Sequence, residues 1–411
     1  MRILYHHRTL GDGAEGIHIR EMVAAFRELG HEVRVVALVG ETPSRQPERE
    51  TTSETAQQIS SQPTDRSQQR WSGVSRWLPG VAYEIAELGY NVFAKRRLRT
   101  AVAQFQPDFI YDRYNSFSSA AVDVGRGMGV PVCLEVNAPV ALERTMQSEK
   151  RRLRMDQLAI RYERSICCAA DRVVAVSTPL KQFLVDERGV PADRILVLPN
   201  GADPDKFHPK CCGAEVRRSL GLVDKTVIGF LGILRNWHGI DLLIDAFGQL
   251  AKTDSSIHLL IIGDGPIQHD LEAIVADKHL ENRVTFTGRV VHAAIQSHLA
   301  AMDITASPMA TFYASPMKIL ESMAMGIPTV AANTANIRDV IEDGIDGVLF
   351  APNDAGSLAK AIASLINQPE LTAKIKHYAR RKIETDRNWV SIAGEVIDSL
   401  KKVVDEDPRR R

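Results

Sequence analysis

The chain has 411 residues, 44% of them hydrophobic and 25% charged, and its 51 Lys and Arg are matched by 51 Asp and Glu. At about 150 residues per domain that length means two or three domains with sizeable cores, which excludes a small stapled scaffold. The composition excludes disordered, fibrous and collagen-like chains, and the balanced charge makes nucleic acid an unexpected partner.

Taken in chain order, Ile3-Leu4-Tyr5 reads as a strand and Gly11-Asp12-Gly13-Ala14-Glu15-Gly16 as a Gly-rich turn. A helical spacing follows through Ile17, Met22, Val23, Phe26 and Leu29, then a strand at Val33-Arg34-Val35-Val36-Ala37. A β-α-β opening predicts a parallel sheet covered by helices on both faces. The start lacks the segments of a signal peptide, and no apolar run approaches the roughly 20 residues of a membrane-spanning helix, so a cytoplasmic chain is expected. Cys133, Cys167, Cys168, Cys211 and Cys212 have no metal-binding spacing and read as small buried hydrophobes in a reducing compartment.

Residues 41–70 hold almost no large apolar side chain and predict a mobile, disordered loop. Beyond it, strands are expected at Phe109-Ile110-Tyr111, Val130 to Val136, Val173 to Val176 and Ile195 to Leu198, with a helix from Ala159 to Ala170. Pro199-Asn200-Gly201 breaks the pattern, and the aperiodic stretch from Pro199 to Pro209 reads as an interdomain hinge. The scheme restarts at Val227-Ile228-Gly229-Phe230-Leu231-Gly232 with a helix from Ile240 to Leu250. Strands follow at His258 to Ile262, Val284 to Thr287, Ile304 to Ser307, Thr329 to Ala332 and Val348 to Phe350. Trp389 to Val404 has helical apolar spacing. The fold class is therefore α/β with two doubly wound Rossmann-like domains.

In such sheets ligands bind at the carboxyl ends of strands, where loops run into helix N-termini. The richest such loop is Ser307 to Lys318. Ser315 is a natural N-cap and Pro316 a natural first helical residue, which leaves the amides of Met317 and Lys318 for an anion. Lys318 adds a cation and Glu321, three residues on, a carboxylate suited to ribose hydroxyls; taken alone the two could equally be a solvated i,i+3 pair. Arg235 and His238 in the loop Gly232 to Gly239 are further phosphate donors, and Gly263-Asp264-Gly265-Pro266 permits close approach of a ligand.

From Val173 onward the chain resembles the retaining family 4 glycosyltransferases of GT-B fold. The residues that carry the resemblance are Val176-Ser177, Leu198-Pro199-Asn200-Gly201-Ala202-Asp203, Gly263-Asp264-Gly265-Pro266, Phe286-Thr287-Gly288 and Glu321-Ser322-Met323-Ala324-Met325-Gly326-Ile327-Pro328. The resemblance implies two domains facing across a cleft, residues 1–203 binding acceptor and 204–388 binding a nucleoside-diphosphate sugar, with a helix at 389–411 crossing back to the first. It implies donor binding by Gly263, Gly288, Arg289, Tyr313, Ser315, Pro316, Met317 and Glu321, and charge stabilisation by Arg235, His238 and Lys318. Gly13, Glu15, Gly16 and Asn137 fall on the acceptor side of the cleft. Two positions depart from the family pattern: Tyr313 stands where it has the first glutamate of E-x7-E, and Asn137 where it often has His. The implied reaction moves a sugar to a glycan or lipid-linked acceptor with retention, needing no cofactor and no metal. A sugar-nucleotide epimerase and a non-catalytic sugar-nucleotide-binding subunit are the alternatives.

Asp203-Pro204-Asp205 matches a D-x-D metal motif, but three residues match easily by chance and no metal site is expected there. His6-His7 ends the first strand and could line the cleft or simply satisfy a polar strand end. Basic clusters at Lys95-Arg96-Arg97-Arg99 and Lys150-Arg151-Arg152-Arg154, near Trp71, Trp77 and Leu78, read first as solvated helix faces. The sharper reading is peripheral contact with an anionic membrane at its inner face.

Overall fold

The computed structural model describes residues 1–9, 14–37, 80–145 and 152–406. The loop expected at 41–70, with Gly13, Trp71, Trp77, Leu78, Lys150 and Arg151, lies outside the described residues. The chain divides into two compact units, one made of Met1–Ala175, Leu180–Val197 and Ala393–Arg411, the other of Val176–Pro179 and Leu198–Ile392.

The first unit holds a six-stranded parallel sheet of β1 (Arg2–His7), β2 (Glu32–Ala37), β3 (Phe109–Arg113), β4 (Val132–Val136), β5 (Arg172–Ala175) and β6 (Ile195–Val197), in the order β2-β1-β3-β4-β5-β6. Every residue of β4 is buried, as happens when helices cover both faces of a parallel sheet. The helix Ala14–Glu28 turns Ile19, Met22, Val23 and Phe26 inward at helical spacing. The long helix Gly80–Phe105 has no counterpart in the sequence reading because its pattern is partly inverted. Val81, Ile85, Val92 and Phe93 face outward, while Glu84, Glu87 and Asn91 are buried. Each buried polar group has partners: Glu84 accepts the N–H groups of Arg154 and Met155, Glu87 pairs with Arg8 and Arg144, and Asn91 donates to Phe117 O.

The second unit repeats the plan with β7 (Thr226–Leu231), β8 (Ile257–Ile262), β9 (Val284–Phe286), β10 (Ile304–Ser307), β11 (Thr329–Ala332) and β12 (Val348–Phe350), ordered β12-β11-β10-β7-β8-β9. Phe230, Ile244, Phe247, Leu358 and Ile362 fill one face, and Leu260, Ile262, Ile319, Leu320 and Met323 the other. Each such side chain contributes about 1.5–3 kcal/mol by leaving water. Residues 199–209, read as the interdomain hinge, begin just past the division between the units at Val197 and Leu198 and are packed within this unit. Ala202 and Phe207 are buried in its core, and Arg380 Nη1 donates to the carbonyls of Pro204 (2.9 Å) and Phe207 (2.8 Å).

The five cysteines are free, but only Cys133 and Cys167 are buried; Cys168 and Cys211 are half-buried and Cys212 is exposed, contrary to the reading of all five as core. Among the described residues no helix is long and apolar enough to cross a membrane.

Candidate functional site

The helix Met317–Ala324 follows β10 and carries the most charge-dependent chemistry of the second unit. Pro316, not Ser315, occupies its cap position, with φ −72° and ψ 111°, and no side chain caps the helix. Ser315 is turned elsewhere: its hydroxyl accepts Asn200 N–H at 2.9 Å and its carbonyl accepts Asn200 Nδ2 at 2.8 Å. The first-turn amides of Met317 and Lys318 are thus left without a capping side chain, which is the electrostatic condition for an anion seat.

Lys318 runs from that first turn into the protein. Its ammonium is buried without a hydrogen-bond partner and lies 4.3 Å from the centre of the Phe230 ring. Burial pushes its pKa down to about 7. A buried cation normally requires a counter-charge, and here the protein does not provide one. Glu321, one turn on, is 8% exposed, and burial pushes its carboxyl up to about 7 against the pull of the Lys206 ammonium. Lys318 and Glu321 therefore do not behave as a solvated i,i+3 pair. Each is desolvated in its own surroundings, and Lys206 is a charged neighbour that sequence reasoning missed.

Three further βα loops are sewn together beside this helix. Gly232 N–H donates to Ile262 O (3.0 Å), Leu234 N–H to Asp264 O (2.9 Å) and Gly263 N–H to Gly288 O (3.0 Å). The close approach that Gly263 and Gly265 permit is one of protein backbone to protein backbone. A Cβ on Gly263, where φ is +128°, would fall 2.0 Å from Gly232 O, and one on Gly265 2.2 Å from Leu234 O. These glycines build the loop seam, and any ligand contact would be additional to that role. Arg289, beyond Gly288, is exposed.

Arg235 is exposed and stacks on Trp237, 4.9 Å from the ring centre. His238 departs from its expected role as a phosphate-binding cation. Its Nδ1 lies 2.6 Å from Ile233 O, and since a carbonyl only accepts, Nδ1 carries the proton. Burial, then Lys318, holds its pKa down at about 4, so near neutral pH the ring is uncharged and Nε2 presents a lone pair. Tyr313, in the loop before the helix, is half-buried, packs edge-on to Phe312 at 5.2 Å and accepts Ser177 Oγ on its carbonyl at 2.8 Å.

The D-x-D motif has a local explanation: Asp203 Oδ1 accepts the N–H groups of Asp205 (2.8 Å) and Lys206 (3.0 Å), closing a turn. Among the described residues no three His, Cys, Asp or Glu side chains are grouped to hold a metal.

In the first unit the ends of β1, β3 and β4 gather a buried polar cluster. Parallel register places Arg113 opposite Glu135, and Arg113 Nη1 donates to Glu135 Oε1 at 2.5 Å while Tyr111 OH donates to Oε2 at 2.8 Å. Burial alone would raise the Glu135 carboxyl, but His18, Arg113 and the hydrogen bonds of Asn137 and Tyr111 outweigh it and hold it low. Asn137 is anchored through Nδ2 to Glu135. Glu15 and Gly16 sit at the start of Ala14–Glu28, the first half-buried and the second buried. His6 and His7, at the end of β1, are both buried; His6 Nδ1 pairs with Asp112 at 2.5 Å.

Family models match two long stretches of the sequence. Residues 15–206 match Glycosyltransferase Family 4, and residues 214–382 match Glycosyl transferases group 1. The chain belongs to glycosyltransferase family 4. It is 27% identical to the alpha-D-kanosaminyltransferase of Streptomyces kanamyceticus over 62% of this chain and 66% of that one. It is 26% identical to a GDP-mannose-dependent alpha-(1-6)-phosphatidylinositol monomannoside mannosyltransferase of Mycobacterium tuberculosis, over 58% and 63%. The chain thus spans less than two thirds of the length of these relatives. Among solved structures, Alr3699/HepE of Anabaena in complex with UDP and glucose superposes with a TM-score of 0.71 at 19% identity, covering 98% of this chain and 100% of that one. A glycosyltransferase of Rickettsia africae gives 0.72 at 17%, covering 98% and 99%. These likenesses establish the GT-B fold.

In this family 4 chain, Arg235, His238 and Lys318 lie on elements of one unit, and Lys318 contributes to the His238 shift, so those two are electrostatic neighbours. The glycine seam lies alongside them. Asn137, Glu15 and Gly16 belong to the other unit.

Proposed function

We propose that the chain transfers a sugar from a nucleoside diphosphate to a glycan or lipid-linked acceptor with retention of anomeric configuration, in cell-surface polysaccharide or glycoconjugate synthesis. The observation that carries this reading is the buried, unpartnered ammonium of Lys318 at the uncapped start of a helix, with Glu321 one turn beyond. A diphosphate would give Lys318 the counter-charge it lacks and fill the helix amides, while ribose hydroxyls would donate to Glu321. As the sugar–phosphate bond breaks, charge grows on the departing diphosphate. Lys318, the Met317 and Lys318 amides and the guanidinium of Arg235 would stabilise it, and the acceptor hydroxyl would pass its proton to that leaving oxygen. No metal takes part in this reading. UDP and glucose in the HepE complex and GDP-mannose in the mannosyltransferase names make uridine and guanosine diphosphates and their sugars the first ligands to try.

The test is a thermal-shift panel of nucleoside diphosphates and their sugars. A ligand at 100 times its Kd stabilises by about 2.7 kcal/mol, a shift easily read. At least one diphosphate should raise the melting temperature, and the sugar form of the same nucleotide should raise it too. A chain that responds to none of them does not bind a donor here.

For the acceptor, we place the first unit against an anionic membrane at its cytoplasmic face. The helix Gly80–Phe105 exposes Val92 (76%) and Phe93 (55%) beside Arg96 and Arg97, and those two arginines join Arg34 around a groove of about 400 Å³ floored by Phe93. Apolar side chains flanked by guanidinium groups suit insertion at a phosphate-rich lipid surface. Lys95 is excluded from that surface charge by its 2.6 Å pair with Asp123. Flotation with phosphatidylglycerol-containing vesicles should carry the protein, and Arg96→Glu with Arg97→Glu should abolish it; equal flotation with neutral vesicles would count against the charge-based reading.

A further inference from the structure

The loop between β10 and the Met317–Ala324 helix is irregular backbone, closed by a turn bond from Ala314 N–H to Thr311 O at 3.0 Å. Its carbonyls are gripped from outside. Ser177 Oγ donates to Tyr313 O at 2.8 Å and Asn200 Nδ2 to Ser315 O at 2.8 Å. Asn336 alone of these makes a double hold, spending both amide protons on the loop: Nδ2 donates to Ala314 O at 2.8 Å and to Thr311 O at 3.1 Å. Its Oδ1 in turn accepts Thr334 Oγ1 at 2.8 Å, which fixes the amide's orientation. Asn336 is 1% exposed and lies at the start of the short helix Ala335–Arg338, after β11. One side chain thus ties the loop after β11 to the loop after β10.

We propose that Asn336 is a positioning residue for the anion seat formed by the Met317 and Lys318 amides and the Lys318 ammonium. This rests on the reading of that seat as the donor-phosphate site. Asn336 touches neither donor nor reacting atoms. It acts by holding the loop that sets where the helix begins, so that the entropy of ordering irregular backbone is lost at folding and not again at each binding event. Preorganised donors stabilise developing charge only when they are already in place, and a loop free to move would blur the position of the seat. The two-proton grip also explains why an amide suits the position. A carboxylate of the same shape would set an anion against two carbonyl oxygens, and a hydroxyl could donate to only one.

The test compares Asn336→Asp, which keeps the shape and suits a helix start, with Asn336→Ala, which simply removes the donors. The probes are UDP and GDP. For whichever the parent chain binds, both variants should bind about tenfold more weakly or worse, the order expected when a preformed loop must be ordered on binding. Backbone hydrogen exchange across residues 311–319 of the empty protein should quicken while the rest of the second unit keeps its protection. Affinity within about twofold of the parent, alongside a lowered melting temperature, would make Asn336 merely structural and overturn the assignment, as would unchanged exchange across the loop. Lys318→Met, run in parallel, separates the two levels. If it loses the nucleotide while both Asn336 variants keep it, the Asn336 assignment alone fails. If it binds as the parent does, the seat itself is wrong and the assignment falls with it.

Discussion

Replacing Lys318 by Met is expected to stabilise the empty protein while removing its activity. The Lys318 ammonium is buried against Phe230 with no hydrogen-bond partner, and burial brings its pKa to about 7. In the unfolded chain the same group titrates near 10.4. Between those values the unfolded state holds a proton that the folded state lacks, so this group makes stability rise with pH from about 7 to 10. Below pH 7 both states are charged and the folded state bears the full cost of burying the cation. Met has similar length, no charge and suits an aromatic neighbour, so the variant should gain about 1–3 kcal/mol, the range for relieving an unsatisfied buried polar group. The gain should be larger at pH 6 than at pH 9, which identifies its source and can be read by chemical denaturation. Turnover of the donor found by the nucleotide panel should fall about 100-fold or more, as when one preorganised charge donor is removed. A variant that is less stable than its parent at pH 6, or that turns over normally, would remove Lys318 from the site.

That opposition of stability and function was not legible in the sequence. Ser315-Pro316-Met317-Lys318 carries the signature of a helix start, and a helix does start there. What the local pattern hides is that Ser315 is claimed by Asn200, 115 positions away. The desolvation of Lys318 comes from β7, where Phe230 supplies the ring beneath the ammonium, and no spacing rule links the two. His238 reads as a phosphate donor by residue type, yet its charge is decided by burial and then by the neighbouring Lys318, against the pull of its hydrogen bond to Ile233 O. The strands were far more legible. In a sheet covered on both faces a strand tends to be an apolar run, so Val348 to Phe350 could be read to the residue, and Ile304 to Ser307 and Thr329 to Ala332 likewise, their only polar groups being small hydroxyls that are buried too. The helix Gly80–Phe105 escaped for the opposite reason, since Glu84 and Glu87 turn inward to meet backbone amides and arginines while Val92 and Phe93 turn out. Periodicity reports burial only where burial follows hydrophobicity. Gly263 shows the same limit at one residue: its identity signals close approach, but not whether the approaching atom belongs to a ligand or to Gly232.

At pH 8.5, binding of a nucleoside diphosphate should take up between about 0.2 and nearly one proton, as a rise of 1–3 units carries the Lys318 pKa from about 7 to about 8–10. With its pKa at about 7, Lys318 is almost entirely neutral in the empty protein at that pH. A diphosphate oxygen within hydrogen-bond reach favours the ammonium by about 1–3 pKa units, and so draws a proton from solvent as it binds. The neighbouring groups do not blur the count. Glu321, pushed up to about 7, is already ionised at pH 8.5 and stays so when hydroxyls donate to it. His238 would have to climb more than four units from its value of about 4 to contribute. The nucleotide's own phosphates are fully ionised there. Calorimetric titrations in two buffers of unlike ionisation enthalpy give the number of protons directly, and affinity should weaken as pH rises above 8 because the proton becomes scarcer. Asn336→Asp, which leaves Lys318 in place, should bind less nucleotide but take up the same fraction of a proton per molecule bound. Equal heats in both buffers with the parent chain would mean that the diphosphate does not reach Lys318, and that its buried ammonium serves some other anion.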